Sequence, residues 1–162
     1  MQQRGFVESV AGELYFEARG GDLNTPLVCV HGGPGYTAHY LEALFDLSDT
    51  RRVICYDQAG SGRSRERCPR RKKFTIEAFV EELEALRRAT GINRMFLLGH
   101  SFGGLISGEY ALRYPDRVAG VVFASASIDI PRWIEDAQRL ISALPLMHRM
   151  VLREGLRTGM FD

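Results

Sequence analysis

The stretch MFLLGHSFGG, residues 95 to 104, decides the fold. Met95 to Leu98 form an apolar run too short for a buried helix and long enough for a buried strand. The run passes directly into Gly99-His100-Ser101-Phe102-Gly103, a G-x-S-x-G pattern, and then into a helical stretch that reaches about Tyr114 and is ended by Pro115. A strand that turns this sharply into a helix forces the central residue into a strained conformation, with glycines on either side because side chains there would strike neighbouring backbone. Ser101 Oγ is thereby expected to project as a nucleophile. The helix beginning beside it puts partial positive charge where an oxyanion would develop, and the Phe102 N–H points the same way. Gly104 and Gly108, four residues apart, are expected to let the helix lie close on the sheet.

Upstream, Pro26 to Val30 is a second short apolar run, ending in His31-Gly32-Gly33-Pro34-Gly35. This is the pattern of a buried strand feeding a glycine loop, in which a backbone N–H approaches a substrate carbonyl unobstructed; Gly33 is the expected second oxyanion donor. Each such donor contributes about 2.7–4 kcal/mol of transition-state stabilisation. Further strands are expected at Arg52 to Tyr56 and, as a fourth buried strand, at Val118 to Ala124. Phe6 to Val10 and Glu13 to Ala18 read as an antiparallel hairpin about a turn at Ala11-Gly12. Thr37 is expected to cap a short helix with Tyr40, Leu41, Leu44 and Phe45 on one face, and Thr75 a longer one ending near Gly91. Strands alternating with helices predict an α/β fold with a mostly parallel sheet and right-handed crossovers. After Asp129 the pattern becomes purely helical. We therefore expect a core portion at residues 1–128 and the start of a helical cap at 129–162.

Basic and acidic residues number 21 and 20, a net charge of +1 that gives no global field to draw the chain to nucleic acid or a membrane surface. No apolar run approaches the ~20 residues of a membrane-spanning helix, and the first residues have no signal-peptide h-region. Cys29, Cys55 and Cys68 form no disulfide framework, and a cytoplasmic location with reduced thiols is expected. Gly60-Ser61-Gly62-Arg63-Ser64 resembles a phosphate loop only superficially: Asp57 stands where a Walker A glycine is needed and Arg63 where its lysine is needed. The basic run from Arg63 to Lys73 has no interleaved aromatics and reads as a solvated loop. His31, His39, His100 and His148 show no metal-ligand spacing, so neither metal nor organic cofactor is expected.

HGGPG at 31 to 35, YDQAGSGRS at 56 to 64 and GHSFGG at 99 to 104, in this order and spacing, resemble the proline iminopeptidases. These are α/β-hydrolase-fold serine peptidases that release N-terminal residues, typically proline, from peptides. IPRWIEDAQRLISALP at 130 to 145 is similar to the first helix of their cap. The resemblance implies Ser101 as nucleophile, Gly33 and Phe102 as oxyanion donors, and a structural role for Asp57 in its turn. It assigns no substrate-binding residue. Two positions depart from the family: Ala59 replaces the arginine usual in DQRGSGRS, and Phe102 the tryptophan usual after the nucleophile.

In this fold the triad acid and histidine follow the serine along the chain. Neither His100, adjacent to the nucleophile, nor His148, in the cap helices, suits the base, and Asp129 reads as a helix-leading turn residue. The chain is thus expected to stop before the rest of its triad, to be nearly inactive alone, and either to be unstable or to self-associate through the sheet edge at Val118 to Ala124. The expected substrate is a peptide or a small amide or ester. Rival readings are an esterase or amino-acid amidase of the same fold, or a catalytically inactive truncated hydrolase. An epoxide hydrolase is disfavoured because the elbow carries serine in place of aspartate.

Overall fold

The first two alternating segments pair along their whole length as β1 (Gln2–Ser9) and β2 (Gly12–Arg19), in a computed structural model that describes residues 2–68, 75–126 and 128–158. The turn falls on Val10-Ala11, one residue earlier than expected, because Ser9 Oγ closes it by donating to the Gly12 carbonyl (2.6 Å) and accepting from Ala11 N–H (3.2 Å). The remaining strands are β3 (Leu27–Val30), β4 (Val53–Tyr56), β5 (Met95–His100) and β6 (Val118–Ala124). The six strands lie in the order β1-β2-β4-β3-β5-β6. The first two are antiparallel to their neighbours and the other four run parallel. The sheet is therefore mixed but mostly parallel, in an α/β fold.

Because side chains alternate along a strand, each central strand feeds both faces of the sheet. Val28, Val30, Ile54, Tyr56 and Leu97 face one layer of helices, α1 (Ile76–Ala89) and α2 (Phe102–Arg113), packing with Phe79, Val80, Leu83, Leu86, Ile106 and Tyr110. Leu27, Cys29, Val53 and Cys55 face the other way onto Ala38, Leu41 and Phe45. These last residues belong to a 3-10 segment, Ala38–Asp49, N-capped by Thr37 as expected. Tyr40 does not join the apolar face expected of it; it is 43 % exposed and turns toward the loop after β3. Thr75 caps α1, its hydroxyl accepting from Ala78 N–H (3.2 Å), and Gly91 follows the helix at φ 71°. Glu84 ties α1 to α2 by accepting from the Tyr110 hydroxyl (2.7 Å), and the Arg87 guanidinium holds its carboxyl down at about 2.

Two expectations need correcting. Val118–Ala124 lies at the sheet edge expected for it, pairing with β5 on one side only, but it is not the buried strand its composition suggested: Val122 and Phe123 are 51 % and 48 % exposed. Gly108 does not bring α2 close to the sheet, since a Cβ there would meet the Phe123 ring at an ordinary 3.7 Å. Gly104 does approach closely: a Cβ there would lie 3.3 Å from Gly99 O in β5 and collide with Ala126 Cβ just past β6.

The chain divides into two compact units, Met1–Ile128 and Asp129–Asp162. The second consists of α3 (Ile130–Ala143) and α4 (Leu146–Thr158). Asp129 is the N-cap of α3, its carboxylate accepting from Arg132 N–H (3.0 Å). Of the basic run, Arg63 and Arg67 pair with Asp57 and Glu13, while Arg70, Arg71, Lys72 and Lys73 lie outside the described residues. Among the described residues no helix is long and apolar enough to cross a membrane.

Candidate active site

Parallel strands all present their C-terminal ends at one edge of the sheet, and there the loops after β3, β4 and β5 converge. The loop after β5 is the elbow read from the sequence. Ser101 has φ 52° and ψ −121°, a left-handed conformation that a non-glycine residue adopts only when its surroundings impose it. Those surroundings are tight. A Cβ on Gly99 would lie 2.5 Å from Gly103 O, and one on Gly103 would collide with the Val30 carbonyl and lie 2.6 Å from His31 O. The chain is locked at both ends of the turn by Ser101 N–H donating to Ala124 O (2.9 Å) and Gly104 N–H donating to Ser101 O (2.9 Å). The Ser101 hydroxyl makes no capping bond to α2.

The loop after β3 faces the elbow. Gly33 has φ 129°, open to glycine and strained for any other residue, and Gly32 passes so close that a Cβ on it would lie 3.0 Å from Ser101 Cβ. A cavity of about 570 Å³ opens here, with Gly32, Gly33, Tyr36, Tyr40, His100 and Ser101 among its walls. Gly33 and Ser101, two of the three residues singled out from the sequence, thus share one cavity. The Phe102 side chain lies elsewhere, packed edge-on against Phe79 (5.4 Å between centroids) in a neighbouring cavity of about 390 Å³. Only its backbone N–H, in the first turn of α2 where no carbonyl of the helix can accept it, is available to the site.

Three residues support the loops; Asp57 has the turn-holding role the resemblance implied, while His31 and Tyr40 carried no such role in the sequence. His31 is fully buried under the loop, with Nδ1 2.8 Å from Gly32 O and Nε2 accepting from Gln58 N–H (3.0 Å). That pattern assigns the neutral Nδ1–H form, and burial pushes its pKa below the usual histidine range. Asp57 holds the turn after β4, its two oxygens accepting from Ala38 N–H (2.8 Å) and from Arg63 N–H and Nε (2.9 and 3.1 Å). Tyr40 spans the site: Gly32 N–H donates to its hydroxyl (2.8 Å), which lies 2.7 Å from His100 Nδ1. A hydroxyl-bearing residue on an otherwise apolar helix face was the available signal for the last. Beneath the β4 turn, Glu82 accepts from Ala59 N–H (3.1 Å), and its other oxygen has no partner among the described residues. Burial pushes the Glu82 carboxyl up to about 7.

A strained serine at a strand-to-helix elbow, on a mostly parallel sheet and opposite a glycine loop, is the arrangement of the α/β-hydrolases. The family model described as the alpha/beta hydrolase fold matches residues 25–160, and the chain belongs to that family. Within it the sequence is proline iminopeptidase-like. It is 36% identical over 149 residues to a proline iminopeptidase of Heyndrickxia coagulans, covering 90% of this chain and 51% of that protein. It is 35% identical over 158 residues to one from Thermoplasma volcanium, covering 96% and 53%. The crystal structure of a Mycobacterium smegmatis proline iminopeptidase superposes with a TM-score of 0.82 at 28% identity, over 98% of this chain and 55% of that one. The chain spans about half the length of the curated relatives it matches.

Proposed function

We propose that this chain carries the nucleophile and the oxyanion-binding loops of a serine hydrolase that releases an N-terminal residue, proline or another, from peptides. The observation that carries the reading is the left-handed Ser101 at the end of β5, held across a cavity from Gly33. In the acylation step Ser101 Oγ bonds to the substrate carbonyl carbon and gives up its proton to a base, and the carbonyl oxygen takes the electron pair. The N–H groups of Gly33 and Phe102 hold that oxyanion. Collapse of the tetrahedral intermediate expels the protonated amine, and water later releases the acyl group from Ser101. The acid and base that complete a triad follow the serine in this fold, and no residue of 1–162 is assigned to either role.

A second reading, an esterase or amidase of the same fold, is favoured by one feature. None of the described residues lining the cavity over Ser101 is acidic, whereas a free α-ammonium group needs a carboxylate partner when it leaves water. Residues 129–162 begin the cap in either case, and Glu135, Asp136 and Glu154 are the acidic residues there.

A fluorophosphonate probe tests the reaction class. Ser101 of the intact gene product is expected to label, and Ser101→Ala to lose labelling completely; labelling that survives the substitution overturns the assignment. Proline and leucine arylamides compared with simple acyl esters then separate the two substrate readings, faster turnover of the arylamides being expected.

A further inference from the structure

The hydroxyl of Tyr40 joins the loop after β3, eight residues before it, to the residue preceding the nucleophile, sixty residues after it. Gly32 N–H, in the loop after β3, donates to it at 2.8 Å, and His100 Nδ1, on the residue before Ser101, lies 2.7 Å away. A phenol has one proton to give. His100 Nδ1 is the only acceptor within its reach among the described residues, so the O–H donates there and His100 is held with its proton on Nε2. The two rings stack edge to face, 5.2 Å between centroids, which fixes the line of that bond. Burial raises the Tyr40 pKa, so the proton stays on the oxygen.

The bond to Gly32 also settles which amide of the loop is committed. With the Gly32 N–H spent on Tyr40, the next residue along, Gly33, lines the cavity with its own N–H not committed to Tyr40. A Cβ on Gly32 would sit 3.0 Å from both His100 Nδ1 and Ser101 Cβ, so the loop and the elbow are already at contact distance. Contact alone leaves the loop free to slide or rotate against the elbow, and a directional hydrogen bond on each side of one rigid ring does not.

We propose that Tyr40 is a positioning residue that staples the oxyanion loop to the nucleophile elbow, setting Gly33 N–H and Ser101 Oγ in register. The consequence for reaction rests on the serine-hydrolase reading above; the staple itself does not. Its test therefore has two parts. In the first, ¹⁵N NMR of the full chain is expected to show His100 with a non-protonated, acceptor-type Nδ1. Tyr40→Phe, which keeps the ring and loses the hydroxyl, is expected to mix the two tautomers and to speed exchange of the Gly32 amide by about tenfold. An unchanged His100 pattern together with unchanged Gly32 exchange overturns the staple. In the second, fluorophosphonate labelling of Ser101 in the intact gene product is expected to slow about tenfold in Tyr40→Phe and in Tyr40→Leu alike, with unchanged melting for the phenylalanine variant. Wild-type labelling in Tyr40→Phe with loss only in Tyr40→Leu would assign the effect to the ring and overturn the role of the hydroxyl. Wild-type Ser101 that never labels sinks the hydrolase reading, while the exchange and NMR results still decide the staple.

Discussion

The loops after β3 and β5 face each other across the same cavity and use glycine in opposite ways. After β3 the chain turns on residues that lack side chains: Gly33 and Gly35 take φ values of 129° and 101°, and His31 is tucked beneath them. After β5 the turn itself is made by a serine at φ 52°, and Gly99 and Gly103 flank it with negative φ. Their use there is proximity, since a Cβ on either would run into backbone. On the function proposed above, one loop presents a backbone N–H, which explains why it is bare. The other presents a hydroxyl, so it must hold a side chain where the backbone disfavours one, and the close packing of its flanking glycines supplies the restraint. Strain and tightness belong together at the elbow, whereas freedom of dihedral is what the β3 loop needs.

The sharpest way to break this contrast is to place a methyl group in each loop. Gly103→Ala drives a carbon into the carbonyls of Val30 and His31, and is expected to destabilise the protein by roughly 3 kcal/mol in urea melts. Gly35→Ala meets nothing within 4 Å and is expected to cost only its dihedral strain, about 1 kcal/mol. Equal costs for the two would erase the distinction.

A smaller effect reaches the β3 loop from below, through the β4 turn that holds His31. Glu82 lies there with its carboxyl raised to about 7 against an ordinary 4.5. The folded chain therefore keeps a proton that the unfolded chain releases between those values. By linkage the penalty is absent below pH 4.5, grows as pH rises through that window and is complete above 7. Glu82→Gln, neutral at every pH and still able to accept from Ala59 N–H, is expected to gain on the order of 2 kcal/mol at pH 8 and nothing at pH 4. Parallel stability curves for the two proteins between pH 4 and 8 would show that burial of this charge is not what destabilises the turn.

The smallest effect sharpens the comparison at its centre. Ser101→Gly relieves the left-handed strain and is expected to raise stability by about 1 kcal/mol while abolishing probe labelling. A variant that lost labelling and stability together would mean that Ser101 also serves the fold through its side chain.

Much of this was legible in order along the chain. The apolar run at 95 to 98 followed by G-x-S-x-G places the elbow, because a short apolar strand and a glycine-flanked serine are local patterns. Thr75 and Gly91 bound α1 for the same reason, one by a side-chain cap and the other by a positive φ. Gly108 shows where local reading fails: spacing by four puts it on the same helix face as Gly104, but the strand passing beneath leaves room there. Val118–Ala124 has the composition of a buried strand, yet Val122 and Phe123 are half-exposed, since apolar content does not say how well a strand is covered.

The sequence alone determined the kinds of element, their order, the α/β class, and the two glycine loops that frame Ser101. Only the tertiary structure decided that Tyr40 reaches His100, that His31 is pinned by Gln58 twenty-seven residues away, and that Glu82 lies buried under Ala59. Periodicity reports a residue's near neighbours along the chain. These contacts close between β3, β4, β5 and the helices beside them, and the sheet order β4-β3-β5, which is not the order of the sequence, is what brings them together.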